Sequence, residues 1–233
     1  MPRKVYITED QLRAFIKEMA YPSSFNFDEF GQLKSFAARV RYCNERLRKL
    51  GAGSSRIVYA VDNEKVLKLA KNQKGVAQNN VENQKWLESY DMFAEVYEYD
   101  DNGLWLEMQA ARRAKPSDFK RITGYGFDVF CAWVDYVHSW YTRNRYGRYD
   151  AGKYAEIFDS DEFREGLDNY NLFNSVQSYM GDTCLEAVGD MKRLSSWGVV
   201  SENGEERLVM IDFGLDDDVM TDYYSPKPRR VAW

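Results

Sequence analysis

The sequence predicts an α+β protein, and three observations carry that prediction. Short apolar runs with strand character cluster between about residues 50 and 109. One stretch of helical periodicity interrupts them. Apolar residues at helical spacing then fill most of the remainder, until a closing hairpin near Ile211. A chain of 233 residues with 44% hydrophobic and 30% charged content can bury a sizeable core, as one large domain or as two lobes.

Residues from about Thr8 to Ala20 read as a short amphipathic helix, with Leu12, Phe15, Ile16 and Met19 on one stripe, broken by Tyr21-Pro22-Ser23-Ser24. A second helix is predicted from Phe27 to Lys49, because Leu33, Phe36, Val40, Cys43, Leu47 and Leu50 recur at helical spacing. Residues 1–49 therefore form a helical extension, read as a brace. From Leu50 the pattern changes. Ile57–Val61 and Lys65–Leu69 flank the turn Asp62-Asn63-Glu64 as a β-hairpin, a helix follows from about Gly75 to Tyr90, and strands Glu95–Tyr99 and Leu104–Met108 flank Asp100-Asp101-Asn102-Gly103. Residues 50–109 thus make a small β-rich unit. In residues 110–233 the pattern predicts helices over Phe127–Arg143 and Asp161–Met180, the first ended by a polar connector from Asn144 to Lys153 and the second with Gly181 near its stop. Strands Trp197–Val200 and Arg207–Ile211 close the chain's regular structure. No internal repeat is present.

Composition removes several function classes. Three cysteines (Cys43, Cys131, Cys184) without metal-ligand spacing and a single histidine, His138, argue against a Cys/His zinc site, a disulfide framework and a Ser-His-Asp hydrolase. His138 lies in an aromatic helical pattern and reads as packed. The net charge of −5 argues against a protein that coats nucleic acid. The basic stretches Arg39, Arg41, Arg46, Arg48, Lys49 and Arg112, Arg113, Lys115, Lys120, Arg121 read as solvated faces, so a nucleic-acid partner is a minor reading. No apolar run reaches bilayer-spanning length, and Met1-Pro2-Arg3-Lys4 leads into a polar helix. The expectation is a cytoplasmic protein without a membrane partner.

Three segments carry the chemistry. Leu50-Gly51-Ala52-Gly53-Ser54-Ser55-Arg56-Ile57-Val58-Tyr59 comes first, Val66-Leu67-Lys68-Leu69 follows, and Val209-Met210-Ile211-Asp212-Phe213-Gly214 lies near the end. A Gly turn brings backbone N–H groups close to phosphates, and a strand lysine supplies a cation. A carboxylate directly after an apolar strand supplies a hard oxygen ligand for Mg²⁺. In this order the segments match the parts of a phosphoryl-transfer site, and from Leu50 to Leu215 the chain resembles the protein-kinase-like superfamily.

The resemblance implies a bilobal fold with a β-rich small lobe and a reduced helical large lobe, preceded by the helical extension. It implies ATP and Mg²⁺ as cofactors. Gly51, Gly53, Ser54 and Ser55 would approach the phosphates, Val58 would cover the adenine, and Lys68 and Glu82 would orient phosphates. Leu106 would be the gatekeeper, while the Glu107 carbonyl and the Gln109 N–H would contact the base. Asp212 would hold the metal. Asp190, 22 residues earlier, would position the nucleophile, with Lys192 two residues on. The family's third glycine is Arg56 here, its His-Arg is Val188-Gly189, and its metal-binding Asn has no counterpart, Ser196 standing nearest. Only Leu215 to Trp233 follow the Asp-Phe-Gly, too few for an activation segment or the later large-lobe helices. Asp216-Asp217-Asp218 reads as a solvated acidic face.

The function implied is ATP-dependent phosphoryl transfer to a protein or small-molecule hydroxyl. Transfer of AMP and activation of a carboxylate stay open as variants. The alternative is a pseudokinase that binds nucleotide or a partner without turnover. Compact members of this kind occur in phages and bacteria, where such a protein would work in the host cytoplasm.

Overall fold

The structure is a computed structural model that describes residues 21–22, 24–141, 154–167, 170–183, 188–202 and 204–224. The helix expected over Thr8–Ala20, the connector Asn144–Lys153 and Cys184 lie outside the described residues. The architecture is mixed α and β, with a five-stranded antiparallel sheet and a separate three-stranded one. No described helix is long and apolar enough to cross a membrane. The chain divides into two compact units, Met1–Val76 with Tyr97–Ala110, and Ala77–Val96 with Ala111–Trp233.

In the first unit, helices α1 (Phe27–Gln32) and α2 (Phe36–Arg46) precede strands β1 (Arg48–Ala52), β2 (Arg56–Ala60) and β3 (Lys65–Ala70). Strands β4 (Val96–Tyr99) and β5 (Trp105–Gln109) complete a sheet of order β1-β2-β3-β5-β4. The single helix expected over Phe27–Lys49 is two. Ser35 adopts an extended backbone, and its hydroxyl accepts the Ala38 N–H, so a new helix start competes with continuation of the first. Leu47 is extended as well, and Arg48 to Leu50 belong to β1.

The first unit's core lies on one face of this sheet. Ile57, Tyr59, Leu67 and Leu69 pack with Phe25, Phe30, Tyr42, Cys43 and Leu47 from the helical segment. The Tyr59 hydroxyl donates to Asn44 Oδ1 at 2.9 Å, which ties β2 to α2. The first basic stretch is only partly a solvated face. Arg39 is buried, and the Arg46 guanidinium lies 3.7 Å from the Tyr42 ring centroid while its Nε donates to the Ser24 carbonyl. Burial pushes the Cys43 thiol up to about 12, so it is inert at neutral pH.

Helix α3 (Gln73–Glu82), in which the division falls, is followed by a 3₁₀ turn at Lys85–Ser89 where the sequence predicted one helix to Tyr90. The second unit contains β6 (Arg112–Arg113), α4 (Pro116–Thr123), α5 (Phe127–Tyr141), α6 (Ala155–Asp159), α7 (Asp161–Gly166) and α8 (Asn171–Thr183). Strands β7 (Trp197–Glu202) and β8 (Glu205–Met210) and helix α9 (Asp217–Tyr223) follow. The sheet order is β6-β7-β8, and residues 92–94 add to β8 through hydrogen bonds between Met210 N and the Met92 carbonyl and between Ala94 N and the Met210 carbonyl.

Another helix prediction needs correction here. The helix expected over Asp161–Met180 is two, Asp161–Gly166 and Asn171–Thr183, with the Tyr170 ring 2.7 Å from where a Cβ on Gly166 would stand. Gly181 lies near the end of α8, as expected. It makes room for the Tyr141 hydroxyl, 2.7 Å from its absent Cβ. An aromatic core of Phe119, Phe130, Phe173 and Trp197 joins α4, α5 and α8 to β7.

The second basic stretch is built into this unit. Arg112 grips Asp118 through two hydrogen bonds of 2.8 and 3.0 Å, Arg121 adds a third at 2.9 Å, and both arginines also pair with Glu206 on β8. The Arg112 guanidinium and, after it, Arg121 hold the Asp118 carboxyl well below the usual carboxylate range. Its folded pKa is depressed, so the stability it contributes is complete above the ordinary carboxylate pKa of about 4. That contribution is lost as pH falls through the folded value. Acid titration of unfolding should therefore show wild type losing more stability below about pH 4 than Asp118→Asn, which is weaker at neutral pH but flatter.

The Tyr21 hydroxyl, buried against β5, donates to Glu107 Oε1 at 2.8 Å, and burial pushes its pKa strongly up. Tyr21→Phe removes a donor from a buried carboxylate and should cost about 1–3 kcal/mol in urea unfolding. A loss below about 0.3 kcal/mol would show that the pair does not hold the extension to the sheet.

Candidate functional site

Residues directly opposite on neighbouring antiparallel strands project from the same face. In the first unit Gly51 faces Val58, Val58 faces Lys68, and Lys68 faces Leu106. One row across four strands therefore collects a glycine of β1, the adenine-covering candidate, the phosphate-lysine candidate and the gatekeeper candidate. It lies on the face opposite the helical brace. Lys68 is 4% exposed. Glu107 and Gln109 lie on the other face of β5, in register with Leu67 and Lys65. The Glu107 side chain is buried and bound by Tyr21.

The Gly turn is shorter than its sequence suggested. Gly51 and Ala52 belong to β1, which has an irregularity between Lys49 and Gly51, and the turn proper is Gly53-Ser54-Ser55. Its oxygens are bonded by the residues after β3. Lys71 Nζ donates to the Gly53 carbonyl at 2.9 Å and Asn72 Nδ2 to the Ser54 carbonyl at 3.0 Å. Lys74 Nζ donates to Ser54 Oγ at 2.8 Å, and the Lys71 N–H to the Ser55 carbonyl at 2.8 Å. Gly75 permits this closeness, since a Cβ there would lie 2.3 Å from the Ser55 carbonyl oxygen. A Cβ on Gly53 would meet nothing within 4 Å.

In the second unit the Asp-Phe-Gly segment leaves β8 under tight constraint. The Ile211 N–H donates to the Ser196 carbonyl at 2.7 Å, extending the β7–β8 ladder by one pair. The Phe213 N–H donates to Glu82 Oε1 at 3.1 Å, and the Phe213 ring lies 4.5 Å from that of Phe93. Gly214 passes under α3, where a Cβ would stand 2.6 Å from the Gln78 carbonyl oxygen. Phe213 and Gly214 are buried, and Asp212 between them and the strand is exposed.

Asp190 is 8% exposed and accepts Arg193 Nη1 at 2.9 Å. The Arg193 N–H returns to the Asp190 carbonyl at 3.2 Å, which closes a tight turn, and the Ser196 N–H donates to the Arg193 carbonyl at 2.9 Å. Trp197 Nε1 donates to the Met191 carbonyl and fixes this loop from below. Lys192 reaches away to Asp135 on α5, at 2.5 Å. Ser196 is 2% exposed. Bonds thus connect Asp190 through Arg193 and Ser196 to the residue preceding Asp212.

Sequence reasoning passed over four participants. Arg193 stood in view three residues after Asp190, the spacing at which opposite charges meet in a helical turn. Lys71 and Lys74 were readable as cations but not as neighbours of the turn, and nothing in the sequence links Asp135 to Lys192. Among the described residues no group of three or more His, Cys, Asp or Glu side chains could hold a metal ion unaided.

The two glycines make opposite predictions. Gly214→Ala drives a methyl group into helix backbone and should cost about 1–3 kcal/mol, read as a lower unfolding midpoint without any ligand. Gly53→Ala should leave that midpoint unchanged, because its Cβ enters open space. Equal effects at the two positions would contradict the packing described. No protein-family model, no curated protein and no solved structure matches the chain.

Proposed function

We propose that the protein is a compact protein-kinase-like phosphotransferase, its two units corresponding to a small and a reduced large lobe. It would transfer a phosphoryl group from ATP, with Mg²⁺, to a protein or small-molecule hydroxyl. The observation that carries the reading is the Asp212 backbone, clamped on one side by the β-ladder and on the other by Glu82 and Gln78, so that one exposed carboxylate projects from buried neighbours. A single preorganised carboxylate is what a metal that arrives with its own phosphate ligands needs. The five-stranded antiparallel sheet supports the same reading, with one helix between its third and fourth strands in chain order and Lys68 in line with Val58 and Leu106.

Within this assignment ATP bound with Mg²⁺ supplies the transferable group. Lys68 holds phosphate charge, and Gly53 and Ser54 bring backbone and hydroxyl close to it. Asp212 holds the metal, and Asp190 orients the acceptor hydroxyl and accepts its proton. A second reading, nucleotide or partner binding without turnover, is favoured by two contacts and one buried side chain. Asp190 is engaged by Arg193, Lys192 by Asp135, and the Ser196 side chain is buried and so is poorly placed to share an exposed metal.

Thermal unfolding with and without Mg·ATP tests both. At saturation a ligand raises stability by a few kcal/mol, so wild type should gain roughly 5 °C or more, while Lys68→Ala and Asp212→Ala gain little. A midpoint unmoved by Mg·ATP removes phosphotransfer and nucleotide binding, and leaves only a partner binder. Where ATP binds, γ-labelled ATP with candidate acceptors separates them. Label transfer abolished in Asp190→Asn supports catalysis, and binding without transfer under all conditions supports the inert binder.

A further inference from the structure

We propose that the outer edge of β8, at Glu206 and Leu208, is a docking site for an extended peptide segment of a partner protein that carries lysine or arginine. The segment adds beside β8 as a further strand. The inference draws on the second unit alone and does not depend on the phosphotransfer reading.

The edge follows from the ladder. The Ile211 N–H donates to the Ser196 carbonyl, so Ile211 turns its polar backbone toward the β7 side. Met210 turns the other way, its N–H donating to the Met92 carbonyl and its own carbonyl accepting the Ala94 N–H. Backbone groups alternate sides along a strand, so those of Leu208 and Glu206 also point away from β7. The neighbouring segment meets β8 only at the bridge between Phe93 and Met210. Before it the chain has turned aside, with the Tyr90 N–H bonded to the Leu87 carbonyl. Among the described residues no hydrogen bond reaches the outward N–H and carbonyl of Leu208 or of Glu206. Leu208 is 4% exposed, and backbone groups so far from open water are ordinarily paired.

A cavity of about 560 Å³ lies against this edge. A hollow on one face of a strand would touch alternate residues. This one touches Glu205, Glu206, Arg207 and Leu208 in succession, and Asp91 beyond them, so it runs along the edge itself. Its far wall includes Ile122 in the last turn of α4, and Tyr170 and Leu172 where α8 begins. The outward groups of Glu206 and Leu208 recur about 7 Å apart, which is the two-residue repeat of another extended chain.

Charge selects the occupant. The cavity is lined by the carboxylates of Asp91, Glu202, Glu205 and Glu206 against the single guanidinium of Arg207. Glu202 pairs with Arg207 at 3.2 Å, and Glu206 with Arg112 and Arg121. Arg207 Nη1 also donates to the Asp91 carbonyl at 2.8 Å, which pins that end of the groove. The side chains of Asp91 and Glu205 are exposed, and among the described residues neither is in an ion pair. Two such carboxylates beside an unpaired strand edge suit lysine or arginine, and Ile122, Tyr170 and Leu172 suit apolar side chains between the cations. A second copy of this chain would bring the same carboxylates to the edge, which disfavours it as the occupant.

The experiment follows the fluorescence anisotropy of a labelled, capped heptapeptide of alternating lysine and valine as the full chain is added. A version with glutamate for lysine tests charge. Two further versions carry N-methyl groups, one on every lysine amide and the other on every valine amide. An added strand turns the amides of alternate residues toward β8. One methylated peptide should therefore bind about tenfold or more weakly than the parent, and the other within about threefold of it. The glutamate peptide, and the lysine peptide against the double variant Asp91→Lys with Glu205→Lys, should each lose about tenfold or more. Unliganded unfolding midpoints confirm that the variant is folded. Absence of lysine-peptide binding overturns the proposal. Equal effects of the two methylation sets show attraction by charge alone and overturn it as well. A wild-type dimer in sedimentation that Glu205→Lys dissociates would give the edge to a second copy, and would also overturn it.

Discussion

Gly214 runs beneath helix α3 at a distance that no side chain tolerates, and much of the second unit's candidate chemistry follows from that close approach. With a Cβ position only 2.6 Å from the Gln78 carbonyl oxygen, the peptide after Phe213 has little freedom of course. The Glu82 carboxylate, buried and one turn further along the helix, needs donors and takes the Phe213 N–H. The Phe213 ring then packs on Phe93, whose own segment is bonded to the end of β8 through Met210. Helix, strand and loop thus each fix one side of Asp212. The backbone at Asp212 is ordered before any ion is met, and an ion bound there would not have to order it.

Elements whose signal is local were legible in the sequence. The β2–β3 hairpin matches its reading almost residue for residue, because the Asp62 carboxylate that caps the turn and the short apolar runs on either side are both written within a dozen residues. Helix α4 was passed over although its signals were also local. Pro116 stands in its first turn, Asp118 accepts the Lys115 N–H, and Gly124 closes it in the left-handed region at φ 81°. The basic residues around it drew attention to charge and away from caps. The merged helices failed differently. Apolar spacing runs on through Ser35 and past Gly166, while the structure has a hydroxyl cap at the first and the Tyr170 ring beside the second. Periodicity alone does not distinguish a helix from two helices in phase.

The candidate site divides along the same line. The row Gly51, Val58, Lys68, Leu106 follows from strand order and the two-residue period, so the sequence contained it once the strands were placed. The partners of polar groups did not follow. Lys192 meets Asp135 across 57 residues, and the Glu82 carboxylate meets a backbone N–H 131 residues away. Such pairings depend on packing between elements, and no spacing rule reports them. The acidic run after the Asp-Phe-Gly has a structural explanation close at hand. The Asp216 side chain accepts the Val219 N–H as the cap of α9, and Asp217 and Asp218 occupy its first turn, where the helix dipole favours negative charge.

Under the proposed phosphotransfer reading, Asp190 is where turnover and inert binding part, and its contact with Arg193 bears on the choice. Arg193 is 68% exposed at its side chain and Asp190 11%, so the guanidinium is the partner nearer to water. An acceptor hydroxyl is a weaker partner than a guanidinium. For Asp190 to turn toward it, Arg193 must gain an anion in exchange. A transferred phosphoryl group is such an anion, and the same swing that frees the carboxylate would bring positive charge to developing negative charge. A protein that never meets a phosphate has no reason to break the pair, and its Asp190 and Arg193 would serve as the brace of a tight loop between α8 and β7. The Lys192–Asp135 pair fits both cases, since it anchors the loop to α5 from the other side without touching the carboxylate at issue. Under that proposal, an arginine at the loop surface that exchanges a carboxylate for a phosphate is what separates turnover from inert binding.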